Sequence, residues 1–377
     1  MDFTFTEEQQ AAAEAARGVF AGVTPDAVPS PSLVTGAVAD DFDRALWARL
    51  AEADLLSLLL DAEYGGAGLD AIALCLVLRE SAKVLARVPL LESSAAAAAV
   101  QAHGSDELRS GLLARAARGE VVLTVAANGR TGHDPAELAV TARRDGDAWI
   151  LDGTQTAVPW AHTADHIVVP ARTADDRTLL AVLPRAHPGI TIGEQVSTTG
   201  ERLGELRLDA ARIAARDVVD ADGAWEWLRE LLATGTCALA LGLGERVLAM
   251  TAEYTGGREQ FGHPVATFQA VAVQAADRFI DLRAMEATLW QAAWRIASGA
   301  PGALPASGDV AVAKIWASDG VRRIVQTAQH LHGGFGADVD YPLHRYHAWA
   351  KHLELSLGPA PAHEEALGDL LAAHPLG

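Results

Sequence analysis

The sequence predicts a mainly α-helical protein with a central β domain, an α+β fold of three domains. Three observations indicate this fold: helical periodicity in residues 1–119, short β-branched runs in 120–217, and long helical periods in 218–377. The chain has 377 residues, which exceeds the size at which a single hydrophobic core usually stops growing. We therefore expect domain boundaries near 119/120 and 217/218.

The N-terminal region has the apolar spacing of helices. Phe42, Leu46, Leu50 and Leu55 recur at near-helical intervals, and the glycines of AEYGGAGLD then interrupt the pattern. A second long apolar run, AIALCLVLRESAKVLARV, follows this loop. The region 1–119 is therefore predicted to be an α domain.

The middle region changes to short runs such as VVLTVAA, AWILDG and HIVVPAR. The segment RDGD lies between two of these runs, with Asp145 and Gly146 at its centre. Such a pair predicts a tight hairpin, because both central residues tolerate positive φ. We expect an antiparallel β domain over 120–217.

The C-terminal region contains the clearest helix, FQAVAVQAADRFIDLRAMEATLWQAAWRIASG. Its apolar residues recur at helical spacing and form one stripe, whereas Asp277, Arg278 and Asp281 lie off it. Such a long apolar face is typical of a helix bundle or of a subunit interface. The stripe consists of Phe268, Val271, Ala275, Phe279, Leu282, Leu289, Ala293 and Ile296.

Charge and composition exclude several classes of partner. The formal net charge of −19 repels nucleic-acid phosphates and anionic lipid surfaces, so we expect neither nucleic acid nor a membrane as a partner. The start MDFTFTEEQQ lacks the features of a signal peptide, and no uncharged run reaches the roughly 18 residues of a bilayer span. We expect a cytoplasmic protein. Cys75 and Cys237 have no CxxC or His-rich neighbours, so no metal site or disulfide is predicted.

Several sequence segments together resemble those of the acyl-CoA dehydrogenase family. They are YTGGREQFGHPVATFQ, AKIWAS and HLHGGFGADVDYPLHRY in the last third, LLDAEYGGAGLD near the start, and a weaker GHD…DGTQ…TADHIVV between them. The resemblance covers nearly the whole chain and is most specific after Tyr254. It implies an N-terminal helical domain, a middle antiparallel β-barrel and a C-terminal four-helix bundle. It also implies FAD at a subunit interface and an acyl-CoA substrate.

The resemblance assigns a set of residues to the FAD nucleotide. The Arg258 guanidinium would donate paired, charge-assisted hydrogen bonds to the pyrophosphate, and Phe261 would pack near the adenosine. Glycines of HGGFG would let the backbone approach the dinucleotide closely. Without the resemblance, Arg258 would be taken as a helix end and the glycines as a turn. The cofactor-binding candidates are Arg258, Phe261, His330, Gly333, Gly334 and Gly336.

The middle domain departs from the family pattern. Ala127 and Asn128 replace a Thr-Glu pair that precedes the segment Gly132–Asp134, and His330 replaces a glutamine. Where the family places an aromatic residue and a threonine against the flavin ring, this chain has Ala157 and Pro159. Alanine cannot stack on isoalloxazine, and proline offers neither a hydroxyl nor an N–H.

Trp160 leaves two interpretations open. Its indole could supply an aromatic face close to Ala157 and Pro159, or it could be a buried core side chain. A second change affects the surface before Lys351, where Ala348 and Trp349 replace the Arg-Asp pair of the family. This replacement suggests a surface repacked against a different partner.

The catalytic base of the family is missing from its two usual positions. These positions correspond to Leu357 and Leu232, and an aliphatic side chain cannot accept the α-proton of an acyl thioester. Glu354 is the nearest replacement, but it lies about 4.5 Å further along a helix axis, and Glu230 points away from Leu232. We therefore assign no confident catalytic residue, with Glu354 as a weak candidate. A histidine base is a further alternative among His330, His332, His344 and His347.

Together these features predict one subunit of an FAD-dependent acyl-CoA dehydrogenase. A second, related subunit would supply the catalytic glutamate and the flavin-facing middle domain, and an electron acceptor would reoxidise the flavin. By analogy with members that have unlike subunits, the acyl group would be bulky, such as a steroid side chain or a polyketide-like acid. Two alternatives stay open: a flavin-dependent oxidase or oxygenase of secondary metabolism, and a scaffold that has lost flavin.

Overall fold

Helices occupy the first and last thirds of the chain, and strands occupy the middle. The structure is a computed structural model that describes residues 4–132, 134 and 137–375. The first group of helices comprises α1 (Glu7–Phe20), α2 (Arg44–Glu52), α3 (Ala71–Lys83), α4 (Leu90–His103) and α5 (Asp106–Ala117). The last group comprises α6 (Ala224–Gly257), α7 (Gln269–Ser298), α8 (Ala306–His332), α9 (Leu343–Leu355) and α10 (Ala360–Ala373).

Side-chain caps position the N-terminal helices. Thr6 and Gln9 form a reciprocal capping box at the start of α1. Asp70 caps α3 by accepting from the backbone N–H groups of Ile72 and Ala73, each at 3.1 Å. The same carboxylate accepts from the Gln9 amide at 2.9 Å, so one residue both starts α3 and holds α1 against it.

One sheet forms the middle domain. Its strands are β1 (Leu123–Val125), β2 (Val140–Asp145), β3 (Ala148–Val158), β4 (His166–Thr173), β5 (Thr178–Pro184), β6 (Ile190–Val196), β7 (Arg202–Ala214) and β8 (Val218–Val219). The strand order is β6-β7-β3-β2-β4-β5-β8, with β1 beside β4. The pairs along this order are antiparallel except β2–β4, and β1–β4 is also parallel. The sequence analysis did not predict these two parallel pairs.

The hairpin predicted at RDGD is present, but its centre lies one residue later than expected. Asp145 pairs with Ala148 as the last rung of β2 and β3, which leaves Gly146 and Asp147 as the turn. Gly146 has φ of 64°, whereas Asp145 remains in the strand. The aspartate therefore extends the ladder, and glycine alone supplies the positive φ.

The C-terminal helices pack around α6, which also contacts α3 and α4 of the first group. Glycines allow this close approach: a Cβ at Gly242 would overlap the carbonyl oxygen of Arg79 on α3, and a Cβ at Gly235 would collide with Leu91. The Arg79 guanidinium also pairs with Glu245 on α6, with an Nε–Oε2 distance of 2.9 Å. Helix α3 of the first group and helix α6 of the last group are therefore joined through a backbone contact and a half-buried ion pair. A short two-stranded ribbon, β9 (Glu259–Gln260) and β10 (His263–Pro264), follows α6.

Helix α7 is buried along only part of its predicted stripe. Leu282, Leu289 and Ala293 are buried in the bundle, whereas Phe279 is 53% exposed. The neighbouring Ile280 is 63% exposed. Both interpretations of the stripe therefore apply to different parts of the helix: its second half belongs to the bundle, and its first half presents apolar side chains to the outside.

Helix α6 is the one helix in the described ranges whose length and apolar composition would suffice to cross a membrane. Most of its apolar window is buried inside the fold. A core helix of a globular protein has the same properties, so this feature is weak evidence for membrane insertion.

We predict that Gly242→Ala lowers the free energy of unfolding by about 1–3 kcal/mol, because the new methyl group forces α3 and α6 apart. Gly256→Ala, on the same helix but with no atom within 4 Å of the added Cβ, is the matched control. It should instead stabilise the helix by up to about 1 kcal/mol. Thermal melts of both variants test this, and equal melting temperatures would contradict the close helix crossing.

Candidate functional site

A cavity lies where the N-terminal helices, the sheet and the C-terminal helices meet. Leu232 on α6 and Leu357 after α9 line it, and so do Ala157 and Pro159 at the end of β3. The two positions expected for a base and the two positions expected for flavin-ring contacts therefore surround one space. The polar residues that also line this cavity are Ser81, Glu92, Asn128, Glu201, Thr236, His352 and Ser356.

A tight turn carries Leu357 to the cavity. Helix α9 ends at Leu355, and Leu357 and Gly358 then have φ values of 56° and 94°. A leucine in this left-handed region is strained, so the surroundings must hold the turn in place. The His363 Nε2 atom lies 2.9 Å from the Leu357 carbonyl oxygen and provides one such restraint.

Lys314 provides the second restraint from helix α8. Its side chain is fully buried, and its ammonium donates to the Ser318 hydroxyl at 2.9 Å. It also donates to the carbonyl oxygens of Leu353 at 3.2 Å and Glu354 at 3.4 Å, which lie in the last turn of α9. Burial lowers the pKa of Lys314 to about 8. A positive group at a helix C-terminus is favourable, so Lys314 both caps α9 and fixes the approach to Leu357.

The segment around Ala157 and Pro159 uses its backbone polar groups internally. The Ala157 N–H donates to Gln195 Oε1 at 2.8 Å, and the Ala157 carbonyl oxygen accepts from Asn128 Nδ2 at 3.0 Å. The Pro159 carbonyl oxygen accepts from the Thr124 hydroxyl at 2.6 Å. Ala157 therefore has no free N–H to give to a flavin nitrogen, and Pro159 has none at all.

Trp160 is a buried side chain, as the second interpretation expected: it is 7% exposed and forms one wall of the cavity. Its indole N–H donates to Glu92 Oε2 at 3.0 Å, and its ring meets Phe42 edge-to-face with 6.2 Å between centroids. The space that remains is a cavity of about 100 Å³. Ligand pockets usually have roughly 300–1,000 Å³. The cavity of this chain is therefore smaller than a usual ligand pocket.

Sequence reasoning missed the two carboxyl groups of this cavity. Glu92 lies in the apolar start of α4, and Glu201 lies just before β7. Burial, followed by the nearby charge of Glu92, raises the pKa of Glu201 from 4.5 to about 8, although Arg87 opposes this effect. Burial also raises the pKa of Glu92. The sequence gives one signal for Glu92: it is the single charged residue in the apolar run LLESSAAAAAV.

His352 is the histidine that lines the cavity. Burial, with the positive charges of Arg87 and Lys314, lowers its pKa to about 4, so the imidazole is neutral at physiological pH. The four histidines considered from the sequence line no part of this cavity within the described chain. These are His330, His332, His344 and His347.

Glu354 lies outside the cavity lining. Its carboxylate pairs with Lys351 at 2.7 Å and approaches Arg322 at 3.9 Å, and its side chain is 14% exposed. Glu230 likewise lines no part of the cavity. The carboxyl groups that line the cavity together with the leucines are Glu92 and Glu201, which belong to other elements.

Most of the predicted nucleotide contacts are exposed and line no part of the cavity. Arg258 follows α6, is exposed, and has no side-chain hydrogen bond or ion pair within the described residues. Phe261 is 92% exposed at φ of 54°, in the turn between β9 and β10. His330 is exposed near the end of α8, and a Cβ at Gly333 or Gly334 would meet open space. This area leaves room for a group that approaches from outside the chain.

Gly336 differs from the expectation for the glycine loop. It is buried, and a Cβ at this position would lie 2.9 Å from the Gln329 amide nitrogen and 3.0 Å from Leu343. Its missing side chain therefore permits packing within the chain. His133, in the predicted Gly132–Asp134 segment, lies outside the described residues.

Family models match the chain in three consecutive parts. The acyl-CoA dehydrogenase N-terminal domain matches residues 6–120, the middle domain 124–211 and the C-terminal domain 230–369. The chain belongs to the acyl-CoA dehydrogenase family. Acyl-CoA dehydrogenase FadE27 of Mycobacterium tuberculosis is 38% identical over 383 residues and is covered completely, as is this chain.

Two solved structures extend the similarity of this acyl-CoA dehydrogenase-family chain to its three-dimensional fold. The ChsE4–ChsE5 complex from Mycobacterium tuberculosis has a TM-score of 0.89 at 36% identity, with 100% of both chains covered. A variant of the Tcur3481–Tcur3483 steroid ACAD has a TM-score of 0.88 at 37% identity, covering 97% of this chain and 98% of that one.

Membership of the acyl-CoA dehydrogenase family supports FAD as the cofactor that the resemblance implied. The described residues fit the two ends of FAD differently. The area around Arg258 is open and carries an unpaired positive charge, which suits a pyrophosphate. The cavity beside Ala157 is below the usual size of a ligand pocket and offers no N–H from Ala157 or Pro159, so it fits the ring poorly.

We predict that Glu201→Gln flattens the fall in stability between about pH 5 and pH 8. The folded pKa of Glu201 is raised to about 8, so unfolding releases its proton within this range and wild-type stability falls as pH rises. The neutral amide removes this penalty and should raise the free energy of unfolding at pH 8 by about 1 kcal/mol or more. Melts at several pH values measure the effect. The exposed Glu194→Gln is the control, and parallel curves for wild type and Glu201→Gln would refute the assignment.

Proposed function

We propose that this chain is the non-catalytic subunit of a hetero-oligomeric, FAD-dependent acyl-CoA dehydrogenase. The observation that carries the proposal is that Leu232 and Leu357 line one cavity of about 100 Å³ together with Ala157 and Pro159. No side chain at the usual positions can accept an α-proton, and the cavity fits the ring poorly. The acyl-CoA thioester is therefore dehydrogenated on the partner subunit, which supplies the catalytic glutamate.

In this proposal the chain contributes to the nucleotide end of the cofactor. FAD, when bound, supplies the hydride acceptor of the reaction. Arg258 holds a pyrophosphate oxygen, Phe261 packs against the adenosine, and Gly333 and Gly334 leave space for the dinucleotide. His330 provides a hydrogen-bonding group at the position where the family has glutamine. The exposure of these residues in the single chain supports this role.

Two features support a partner subunit. The first is that the similar ChsE4–ChsE5 and Tcur3481–Tcur3483 proteins each combine two differently named components. On this chain, α7 presents Val273, Phe279 and Ile280 at 53%, 53% and 63% exposure, and such side chains favour burial against another protein. We therefore assign the first half of α7 to the subunit interface.

The proposed substrate is the CoA thioester of a bulky acid, such as a steroid side chain. The similarity of this chain to the Tcur3481–Tcur3483 steroid ACAD supports this class. The complex would act in the cytoplasm and would pass its electrons to a separate acceptor. Glu354 has no catalytic role in the proposal, because its carboxylate is paired with Lys351 outside the cavity.

We predict that the purified chain is colourless and that it retains flavin only when it is co-expressed with a related subunit that carries the glutamate. In the complex, Arg258→Ala should lower FAD retention by about tenfold or more, because a charge-assisted hydrogen bond is lost. Flavin absorbance per protein after gel filtration measures this.

Arg143→Ala is the matched control, since Arg143 is also an exposed arginine but lies on β2. It should leave the flavin content of the complex unchanged. A yellow homo-oligomer that oxidises acyl-CoA without a partner would overturn the proposal. A yellow chain that instead consumes oxygen would favour the oxygenase alternative, and a chain that never acquires flavin would favour a scaffold.

We also predict that Leu357→Glu in the isolated chain produces no acyl-CoA oxidation. The new carboxylate would enter a cavity that already holds Glu92 and Glu201 and fits the ring poorly. Assays with a dye acceptor and added FAD measure the activity, with the wild-type chain as control. Dehydrogenation by this single variant would show that the middle domain still binds the flavin ring.

A further inference from the structure

A groove of about 300 Å³ lies on another side of helix α9, away from the cavity residues. Its lining shares no residue with the cavity and includes none of the six FAD candidates. The groove is formed by the loop before α2, the turn between β6 and β7, and parts of α8 and α9. Its lining residues are Ser30, Ser32, Leu33, Thr198, Gln329, Ala337, His344, His347, Ala348 and Lys351.

His344 lines this groove, and one of its ring nitrogens is unpaired among the described residues. The ring is 6% exposed, and its Nδ1 lies 2.9 Å from the carbonyl oxygen of Tyr341. A carbonyl oxygen only accepts, so Nδ1 carries the proton, and Nε2 is left as an acceptor in the neutral ring. Nε2 is buried and has no hydrogen-bond partner in the described part of the chain. Leaving a buried polar atom unpaired is costly, so this nitrogen indicates a missing partner.

The charges of the groove select the sign of that partner. The chain has 49 acidic residues against 30 lysines and arginines, yet the titratable residues that line the groove are His344, His347 and Lys351. Glu354, which is not part of the lining, pairs with the Lys351 ammonium at 2.7 Å. An ammonium has three donors, so Lys351 keeps donors for a ligand.

The remaining lining residues provide hydroxyl groups and an apolar surface. The Ser30 and Ser32 hydroxyls lie 2.7 Å apart at one side of the groove. Leu33, Ala337 and Ala348 offer apolar contact, and the small side chain of Ala348 widens the groove where the family carries arginine. A ligand that matches this lining combines an anionic head with an apolar or ring-shaped body.

We infer that this groove binds an organic phosphate. Lys351 and the imidazoles of His344 and His347 contact the phosphoryl oxygens, with the Ser30 and Ser32 hydroxyls at one side. The organic body lies against Leu33, Ala337 and Ala348. Nε2 of His344 and a dianionic phosphoryl oxygen are both acceptors, so one proton taken up from solvent must lie between them in the complex. This proton forms a new N–H or O–H bond, and no bond of the ligand breaks. The inference does not rest on the proposed role in dehydrogenation, because neither flavin nor a partner takes part.

Calorimetric titration of the full chain with phenyl phosphate and with inorganic phosphate, at constant ionic strength, tests the inference. Phenyl phosphate should bind more tightly than inorganic phosphate, with net proton uptake detected by comparing buffers of different ionisation enthalpy. Lys351→Gln should weaken phenyl phosphate binding by about tenfold or more. Lys83→Gln is the matched control: Lys83 also pairs with a glutamate three residues away, Glu80 at 2.8 Å, but lies outside the groove, so affinity should not change.

His344→Asn provides a second variant that preserves the local fold. The asparagine amide can still donate to the Tyr341 carbonyl oxygen, whereas the atom at the Nε2 position is removed. This variant should weaken binding by about tenfold and abolish proton uptake, with an unchanged melting temperature. Absence of binding by either phosphate at millimolar concentration would overturn the inference. Equal affinity for the two phosphates would show that the organic body makes no contact and would overturn the inferred ligand class. Unchanged affinity in both Lys351→Gln and His344→Asn would show that phosphate binds outside the groove, which would also overturn the inference.

Discussion

The buried ammonium of Lys314 is the constraint on which the geometry around α9 depends. A buried cation is tolerated only when its donors are paired, and Lys314 uses the Ser318 hydroxyl and the carbonyl oxygens of Leu353 and Glu354 in the last turn of α9 for this purpose. Carbonyls in the last turn of a helix lack intrahelical partners, and the Ser318 hydroxyl also donates to the Glu354 carbonyl at 3.2 Å. The same contacts fix where α9 ends, and so they place Leu357 at the cavity. Since α9 is a rigid helix, they also set the position of His344 and Lys351 on its other surface.

The cavity beside Trp160 and the surface around Arg258 differ in how accessible they are. At the position expected for the ring, Trp160 and Glu92 are joined by a hydrogen bond and the cavity has about 100 Å³. At the position proposed for the nucleotide, Arg258 and Phe261 are exposed, although an exposed phenylalanine gains nothing in an isolated chain. Exposure of such residues is understandable if another molecule covers them. The physical contrast between a closed interior and an open edge is therefore the strongest reason to place the reactive chemistry on a second subunit.

Local pattern predicted the fold well, because helical period, β-branched runs and the Gly146 turn are all encoded within short stretches of sequence. The cavity was predicted only as far as the resemblance could place Leu232 and Leu357. Glu201 and His344 acquire their importance from contacts made by distant segments: the loop around Ser30 and helix α9 are more than 300 positions apart, yet they enclose one groove. Burial of Gly336 against Gln329 depends on how the loop folds back, which spacing alone does not determine.

Helix α7 shows why an apolar period cannot separate a core from an interface. Leu289 and Phe279 belong to one stripe, and the same removal of apolar surface from water favours burial of both. Within one chain the bundle covers Leu289 completely, while Phe279 stays 53% exposed with Arg283 placed 5.0 Å over its ring. A cation over an aromatic face shields only part of the side chain. The stripe thus extends beyond the part of α7 that the bundle covers. Its apolar residues outside the bundle, such as Phe279, stay exposed because no other element that the structure describes packs over them.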